Sequence, residues 1–84
     1  MTTQTDFTIE QLREFVAPYV TEPIDTISDV DYLLDVGIDS ITMMTIVEEL
    51  RQKGFALTFI QLADEPTIDG WYRLIKQSMA DYGG

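Results

Sequence analysis

The apolar positions of this chain fall into helical intervals along three stretches and lose them along two. Ile9, Leu12, Phe15, Val16 and Tyr19 recur three and four apart, the mark of one buried helical face. Thr8 and Gln11 stand at capping-box spacing, and Phe7 and Leu12 at the spacing of a hydrophobic staple, so a first helix is predicted to begin at Thr8. Pro18 lacks a backbone donor and ends or kinks that helix. From Ser40 to Lys53 the period is clearest. On a 100° wheel Met43, Ile46, Val47 and Leu50 share one stripe, whereas Ile41, Met44, Thr45 and Glu48 gather opposite. Gly54 is the predicted stop, since glycine takes left-handed angles without steric cost. Thr67 caps a last helix with Ile68, Trp71, Leu74, Ile75 and Met79 on its inner face, which Gly70 weakens by up to ~1 kcal/mol relative to alanine.

Residues 21–39 have no such period. A connection this long in a small domain is either functional or hides an element. Ile24, Ile27, Val30, Tyr32, Leu33, Leu34 and Val36 make it apolar enough to pack against the body, and Ser28 is placed to cap a short turn running through Leu34. Leu57-Thr58-Phe59-Ile60-Gln61-Leu62 has the composition of a strand or of a short helix. With no second strand to pair with, a short helix capped by Thr58 and ended by Asp64-Glu65-Pro66 is preferred. The expected fold is all-α: a small bundle of three main helices and one short one, with a long packed loop before the second helix. Residues 1–7 are expected to be a flexible N-terminus, 8–80 the domain, and 81–84 a flexible tail.

Composition narrows what such a bundle can do. Its 84 residues allow one small domain, with little room for an interior pocket. A net charge of -10, from fifteen acidic and five basic residues, repels nucleic acid and anionic membranes and suits partners with basic patches. There is no cysteine or histidine, so disulfides and the usual zinc and copper ligands are absent. The N-terminus is polar, and no run is long enough to cross a bilayer. A monomeric cytoplasmic protein is expected.

One segment carries candidate chemistry: Asp35-Val36-Gly37-Ile38-Asp39-Ser40-Ile41-Thr42-Met43-Met44. It sets a serine hydroxyl at the mouth of the clearest helix. A serine nucleophile needs a positioned base, and a Ser-His-Asp triad is impossible without histidine. Gly37-Ile38-Asp39-Ser40 lacks the second glycine of a nucleophile elbow. A Ser-Lys pair would have to use Lys53, at the far end of the same helix, or Lys76. Asp29, Asp31, Asp35 and Asp39 suggest a metal loop. The positions of Leu33, Leu34 and Ser40, however, would need Asp or Asn, Gly and Glu for an EF-hand, so a solvated acidic rim is the better reading. Paired carboxylates for sugar chemistry would lack a cleft. Asp39 and Ser40 are equally good helix caps. Capping alone leaves Gly37 at a turn, and Ile41 and Met44 on the outer face, without a reason. Those two are either a docking patch or covered by the 21–39 loop.

Val36-Gly37-Ile38-Asp39-Ser40-Ile41 resembles the attachment site of phosphopantetheine-dependent carrier proteins. The helix that follows, the short third helix and Pro66-Thr67 before the last helix agree with that resemblance, which covers residues 8 to 79. Within the family, Asp39-Ser40-Ile41-Thr42-Met43-Met44 and Phe59-x-x-Leu62-Ala63-x-x-Pro66-Thr67-Ile68-Asp69-x-Trp71 look most like aryl carrier proteins of siderophore-type nonribosomal peptide synthesis. The resemblance implies an acyl-carrier-like bundle with no catalysis of its own. Ser40 is the implied attachment point of a covalent 4'-phosphopantetheine taken from coenzyme A, with Asp39 and Gly37 shaping the site. A phosphopantetheinyl transferase, with Mg²⁺ in its own site, activates the hydroxyl. An adenylating enzyme then acylates the arm, with a hydroxybenzoate expected, and a condensation enzyme takes the acyl group onward. Met44, Phe59 and Ala63 match the family's contacts for the condensation partner, and the helical wheel adds Ile41. Phenylalanine in a short element is otherwise a core residue. Aryl carriers are often fused to an isochorismatase domain, so this chain is either freestanding or excised from a larger synthase. The rival readings are a generic acyl or peptidyl carrier, an unmodified acidic interaction module, and a ubiquitin-like modifier ending Gly83-Gly84. The last needs a strand-rich sheet that three helices exclude.

Overall fold

The computed structural model describes residues 7–83, with side chains described as far as Ser78. All regular structure in it is helical: α1 (Ile9–Val16), α2 (Ser40–Gln52), α3 (Phe59–Asp64) and α4 (Ile68–Gly83), with 3₁₀ turns at Ala17–Tyr19, Ile24–Thr26 and Leu33–Val36. α1 packs on α4, and α3 packs on both α2 and α4. The ambiguous stretch after Gly54 is therefore a helix and not a strand.

The starts of these helices are set by single side chains. Thr8 and Gln11 form a complete capping box on α1, and Thr58 and Gln61 form another on α3. The Thr67 hydroxyl accepts the Gly70 N–H at 2.9 Å at the head of α4. Asp39, not Ser40, caps α2: its carboxylate accepts the Thr42 N–H at 2.8 Å. α2 ends at Gly54, whose N–H bonds the Arg51 carbonyl while Phe55 N–H bonds that of Leu50, a Schellman closure on a left-handed residue. After Val16 the first helix tightens into the 3₁₀ turn that holds Pro18.

The core is one cluster in which Leu12, Leu33, Ile46, Leu50, Leu62 and Trp71 are completely buried. The Trp71 indole N–H donates to the Leu62 carbonyl at 2.9 Å, which ties α3 to α4 and satisfies a polar atom that burial would otherwise penalise. The 3₁₀ turn after α1 is joined to α2 at the surface by the Tyr19 hydroxyl, which donates to Glu49 at 2.7 Å. That hydrogen bond raises the tyrosine pKa above its ordinary value.

Two boundaries differ from those expected. Phe7, assigned to the N-terminal segment, lies against Phe55 with ring centroids 5.5 Å apart, whereas residues 1–6 lie outside the described residues. α4 runs through Gly83, past the Asp81 at which a tail was expected, because nothing in its last turns interrupts the i to i−4 ladder. Gly84 and the side chain of Met79 lie outside the description.

Candidate functional site

The serine is presented by a loop fastened to both of its neighbours. Arg13 on α1 reaches into residues 21–39. It donates to Asp29 at 2.7 Å and to the carbonyls of Ile24 and Ile27 at 2.6 and 2.8 Å. On the other side the Leu33 N–H donates to the Pro66 carbonyl, and the Asp69 N–H to the Asp29 carbonyl, both at 2.8 Å. Thr21 N–H closes the base of the loop on the Val36 carbonyl at 2.8 Å. Ile27, Leu33 and Ile38 are buried anchors, and Ile24 and Val36 are half-buried.

Val30, Tyr32 and Leu34 do not pack as expected. They are 71%, 59% and 51% exposed. The alternation of Leu33 inward and Leu34 outward follows from the 3₁₀ turn, which points successive side chains about 120° apart. Ser28 does not cap a turn through Leu34. Its hydroxyl accepts the Val30 N–H while Asp31 accepts the Ser28 N–H, a local turn that ends before Leu33.

Gly37 is the pivot. Its φ is +110°, and a Cβ there would stand 2.7 Å from Thr21 Cγ2 and 2.9 Å from the Thr21 nitrogen. Only glycine fits both the left-handed angle and the close pass of the loop base. The chain then buries Ile38, turns at Asp39 into α2, and leaves Ser40 exposed as the first helical residue. Anchors at Ile38 and Met43 on either side fix the direction in which the hydroxyl emerges. The Thr42 N–H, then the Thr42 side chain, hold the Asp39 carboxyl below its ordinary range, so it is ionised at neutral pH.

Neither lysine addresses the serine. Lys53 lies over the Phe15 ring and Lys76 over the Tyr72 ring, 5.7 and 5.8 Å from the centroids. Among the described residues no three carboxylates gather into a metal-binding group, and Asp29 faces Arg13 instead. An open depression of about 700 Å³ on α2, lined by residues from Met44 to Lys53, begins one turn beyond Ser40 and does not enclose it. What remains is a projecting hydroxyl at a helix N-terminus, where backbone N–H groups and the helix dipole favour a phosphate ester. Ser40 thus fits covalent attachment of a phosphate-bearing group, with Gly37 and Asp39 setting the turn and the cap.

Ile41 and Met44 are 77% and 61% exposed, so the loop does not cover them. Of the positions on α3, Ala63 is exposed, whereas Phe59 is half-buried against the core. Ile60 is 77% exposed and was missed. The signal was present: once Thr58 is taken as the cap, Phe59 and Leu62 share the inner face and Ile60 is left outside it.

Comparison with known proteins bears on this arrangement. The family described as "Phosphopantetheine attachment site" matches residues 10–75. "Isochorismatase" of Bacillus subtilis (strain 168) is 42% identical over 69 residues, 82% of this chain and 22% of that protein. "Enterobactin synthase component B" of Escherichia coli (strain K12) is 35% identical over 68 residues, 81% of this chain and 24% of that protein. "Phenyloxazoline synthase MbtB" of Mycolicibacterium paratuberculosis (strain ATCC BAA-968 / K-10) is 35% identical over 72 residues, 86% of this chain and 6% of that protein. The chain thus spans about a quarter or less of the length of these relatives. The family match covers most of the chain and takes in the whole turn from Gly37 to Ser40, and the chain belongs to the phosphopantetheine attachment-site family, whose members hold 4'-phosphopantetheine covalently.

Proposed function

We propose that this chain is an aryl carrier: it holds a hydroxybenzoyl-type group on a phosphopantetheine arm at Ser40 and passes it from an adenylating enzyme to a condensation enzyme. The observation that carries this reading is the exposed Ser40 hydroxyl, held at the head of α2 by Gly37, Ile38 and Asp39, with the Asp39 carboxylate turned to the Thr42 N–H and both lysines over aromatic rings elsewhere. A hydroxyl so placed is a substrate for a transferase that brings its own base and metal. The relatives whose printed names concern enterobactin and phenyloxazoline synthesis support the aryl subtype.

The arm supplies a terminal thiol that carries the acyl group as a thioester. The residues of this chain supply the rest. Gly37 and Ile38 aim the hydroxyl, Asp39 secures the first turn, and Ile41, Met44 and Ala63 offer a contact surface to the condensation enzyme, backed by Phe59. Tethering raises the effective concentration of the intermediate at each partner. The chain itself catalyses nothing, acts as a monomer, and works in the cytoplasm, where coenzyme A is at hand.

The test is intact mass after incubation with coenzyme A and a promiscuous phosphopantetheinyl transferase. The wild-type chain is expected to gain one phosphopantetheine and the Ser40→Ala variant none. Failure of the first, or addition to the variant, overturns the carrier reading. A panel of aryl and alkyl acids, offered with the adenylating enzyme, then separates an aryl carrier from a generic acyl or peptidyl carrier.

A further inference from the structure

The turn that aims Ser40 is gripped by a residue that no motif includes. The peptide unit joining Val36 to Gly37 is held at both ends. Its N–H, on Gly37, donates to the Leu33 carbonyl. Its carbonyl, on Val36, accepts two hydrogen bonds from one residue fifteen positions upstream: the Thr21 backbone N–H at 2.8 Å and the Thr21 hydroxyl at 3.2 Å. The Thr21 methyl walls the open side of Gly37, where Cγ2 lies 2.7 Å from the place a Cβ would take. Among the described residues, no other side chain from outside residues 33–43 hydrogen-bonds to residues 36–39.

The side chain of Thr21 does nothing for the core. Thr21 is exposed, and any residue but proline at this position would supply the backbone bond. What threonine adds is the hydroxyl on the Val36 carbonyl and the methyl against Gly37. That peptide needs holding. Glycine accepts either sign of φ at little cost, so rotating the peptide plane by about half a turn would carry Gly37 from +110° to a negative φ without a clash of its own. Ile38 and Met43 pin the head of α2 in the core, but the chain turns toward it at Gly37, just before the first of these anchors. The glycine that gives the turn its shape therefore also leaves it free to take another.

We infer that Thr21 is a positioning residue for phosphopantetheine addition: its hydroxyl holds the Val36–Gly37 peptide in one orientation and so keeps the Ser40 hydroxyl aimed at the incoming phosphate. The inference rests on the carrier reading above. Thr21 acts through the turn and not by contact with coenzyme A. A transferase docks on the surface around α2 in either state of the turn, but only the aimed state reacts. The rate in the docked complex then scales with the aimed fraction, while the strength of docking does not.

The experiment follows phosphopantetheine addition to the full chain, with coenzyme A and a promiscuous transferase, for Thr21→Val and Thr21→Ser. Valine keeps the branched shape without the hydroxyl, and serine keeps the hydroxyl. Thr21→Val is expected to lower kcat about 3- to 10-fold, the shift that one neutral hydrogen bond commands, with KM for the carrier within about two-fold. Thr21→Ser is expected to retain kcat within about two-fold. Amide relaxation dispersion on the unmodified chain gives a second readout. Thr21→Val should broaden the Gly37, Ile38 and Ser40 signals and leave those of Ile46 and Leu50 as in the wild type. An unchanged kcat in Thr21→Val overturns the proposal, as does an equal loss in Thr21→Ser. A loss confined to KM overturns it too, since Thr21 would then be a transferase contact. Equal broadening at Ile46 and Leu50 does the same, since the residue would then serve stability in general. No phosphopantetheine on the wild-type chain overturns the carrier reading instead, and the amide signals then still decide whether Thr21 holds the turn.

Discussion

Residues 21–39 and residues 40–52 are comparably rich in large apolar side chains, and Ser40 stands where they meet. In α2 the 3.6-residue period decides each side chain's fate. Met43, Ile46, Val47 and Leu50 are inside, while Ile41 and Met44 are outside. In the loop no single period runs from end to end, and only short 3₁₀ turns order it locally. Leu33 is buried and Leu34 exposed, Ile27 is buried and Val30 exposed, and the difference is made by which backbone groups are tied down and to what. A regular helix satisfies its own backbone, so its side chains can be sorted by angle alone. An irregular loop must find partners for its N–H and C=O groups elsewhere, and those partners set its side-chain directions. The two stretches reach the same result, a flank of exposed apolar residues on each side of the serine, by different physics.

Matched substitutions on the two sides test this most forcefully. Leu33→Ala and Ile46→Ala each empty a fully buried site and are expected to cost about 2–5 kcal/mol in urea unfolding. Leu34→Ala, one residue along the loop, and Ile41→Ala, on the outer face of α2, should stay within ~0.5 kcal/mol. A loop pair that behaves alike, while the helix pair splits, would mean the loop is not held in solution as it is in the structure.

The next effect in size belongs to the joint. Gly37→Ala forces a left-handed φ on a residue with a Cβ that meets Thr21, and should cost about 1–3 kcal/mol. It should also lower kcat/KM for phosphopantetheine addition, because Ser40 loses its fixed direction. Normal addition at reduced stability would show that the turn serves folding alone.

Arg13→Gln removes the clamp from the loop without touching α2. Two carbonyls, those of Ile24 and Ile27, lose a charged donor, and a loss of about 1–3 kcal/mol is expected. Hydrogen exchange should rise at Ile27 and Leu33 N–H and remain as in the wild type at Ile46 and Leu50. Equal rises in both regions would deny that the loop is a separately fastened unit.

The smallest effect is the pH response of the α2 cap. The Asp39 carboxyl has a folded pKa below its ordinary value of 3.8, so its contribution is complete above that value. It is lost as pH falls through the depressed one. Asp39→Asn keeps a capping acceptor without the charge and should flatten that part of the acid unfolding curve. An identical acid limb in both proteins would assign the pH dependence to other carboxylates.

Much of this architecture was legible in the chain, and the legible parts share a property. The capping boxes at Thr8 and Thr58, the cap at Thr67, the stop at Gly54 and both faces of α2 depend on residues within a few positions of one another. The family resemblance carried by Val36 to Ile41 is equally local. What was misread involves longer range. Val30, Tyr32 and Leu34 looked like packing residues because composition cannot show that Arg13 and Pro66 hold their backbone in a course that turns them outward. Ile60 is the exception, a local signal that was overlooked: with Thr58 as the cap, it falls off the face shared by Phe59 and Leu62. Sequence could not choose between Asp39 and Ser40 as the cap, since either side chain can accept the bond. The choice fell to Asp39 because the left-handed Gly37 and the burial of Ile38 start the helix one residue earlier than a Ser40 cap would.

The sequence by itself therefore determined the helices and the caps of α1, α3 and α4, and it singled out Ser40 as the candidate attachment point, because each is a matter of local spacing and local hydrogen bonding. Tertiary structure alone decided that the serine is free, that Gly37 has no room for a side chain, and that apolar residues flank the site on both sides. Those outcomes depend on where Thr21, Arg13 and Pro66, distant along the chain, come to lie.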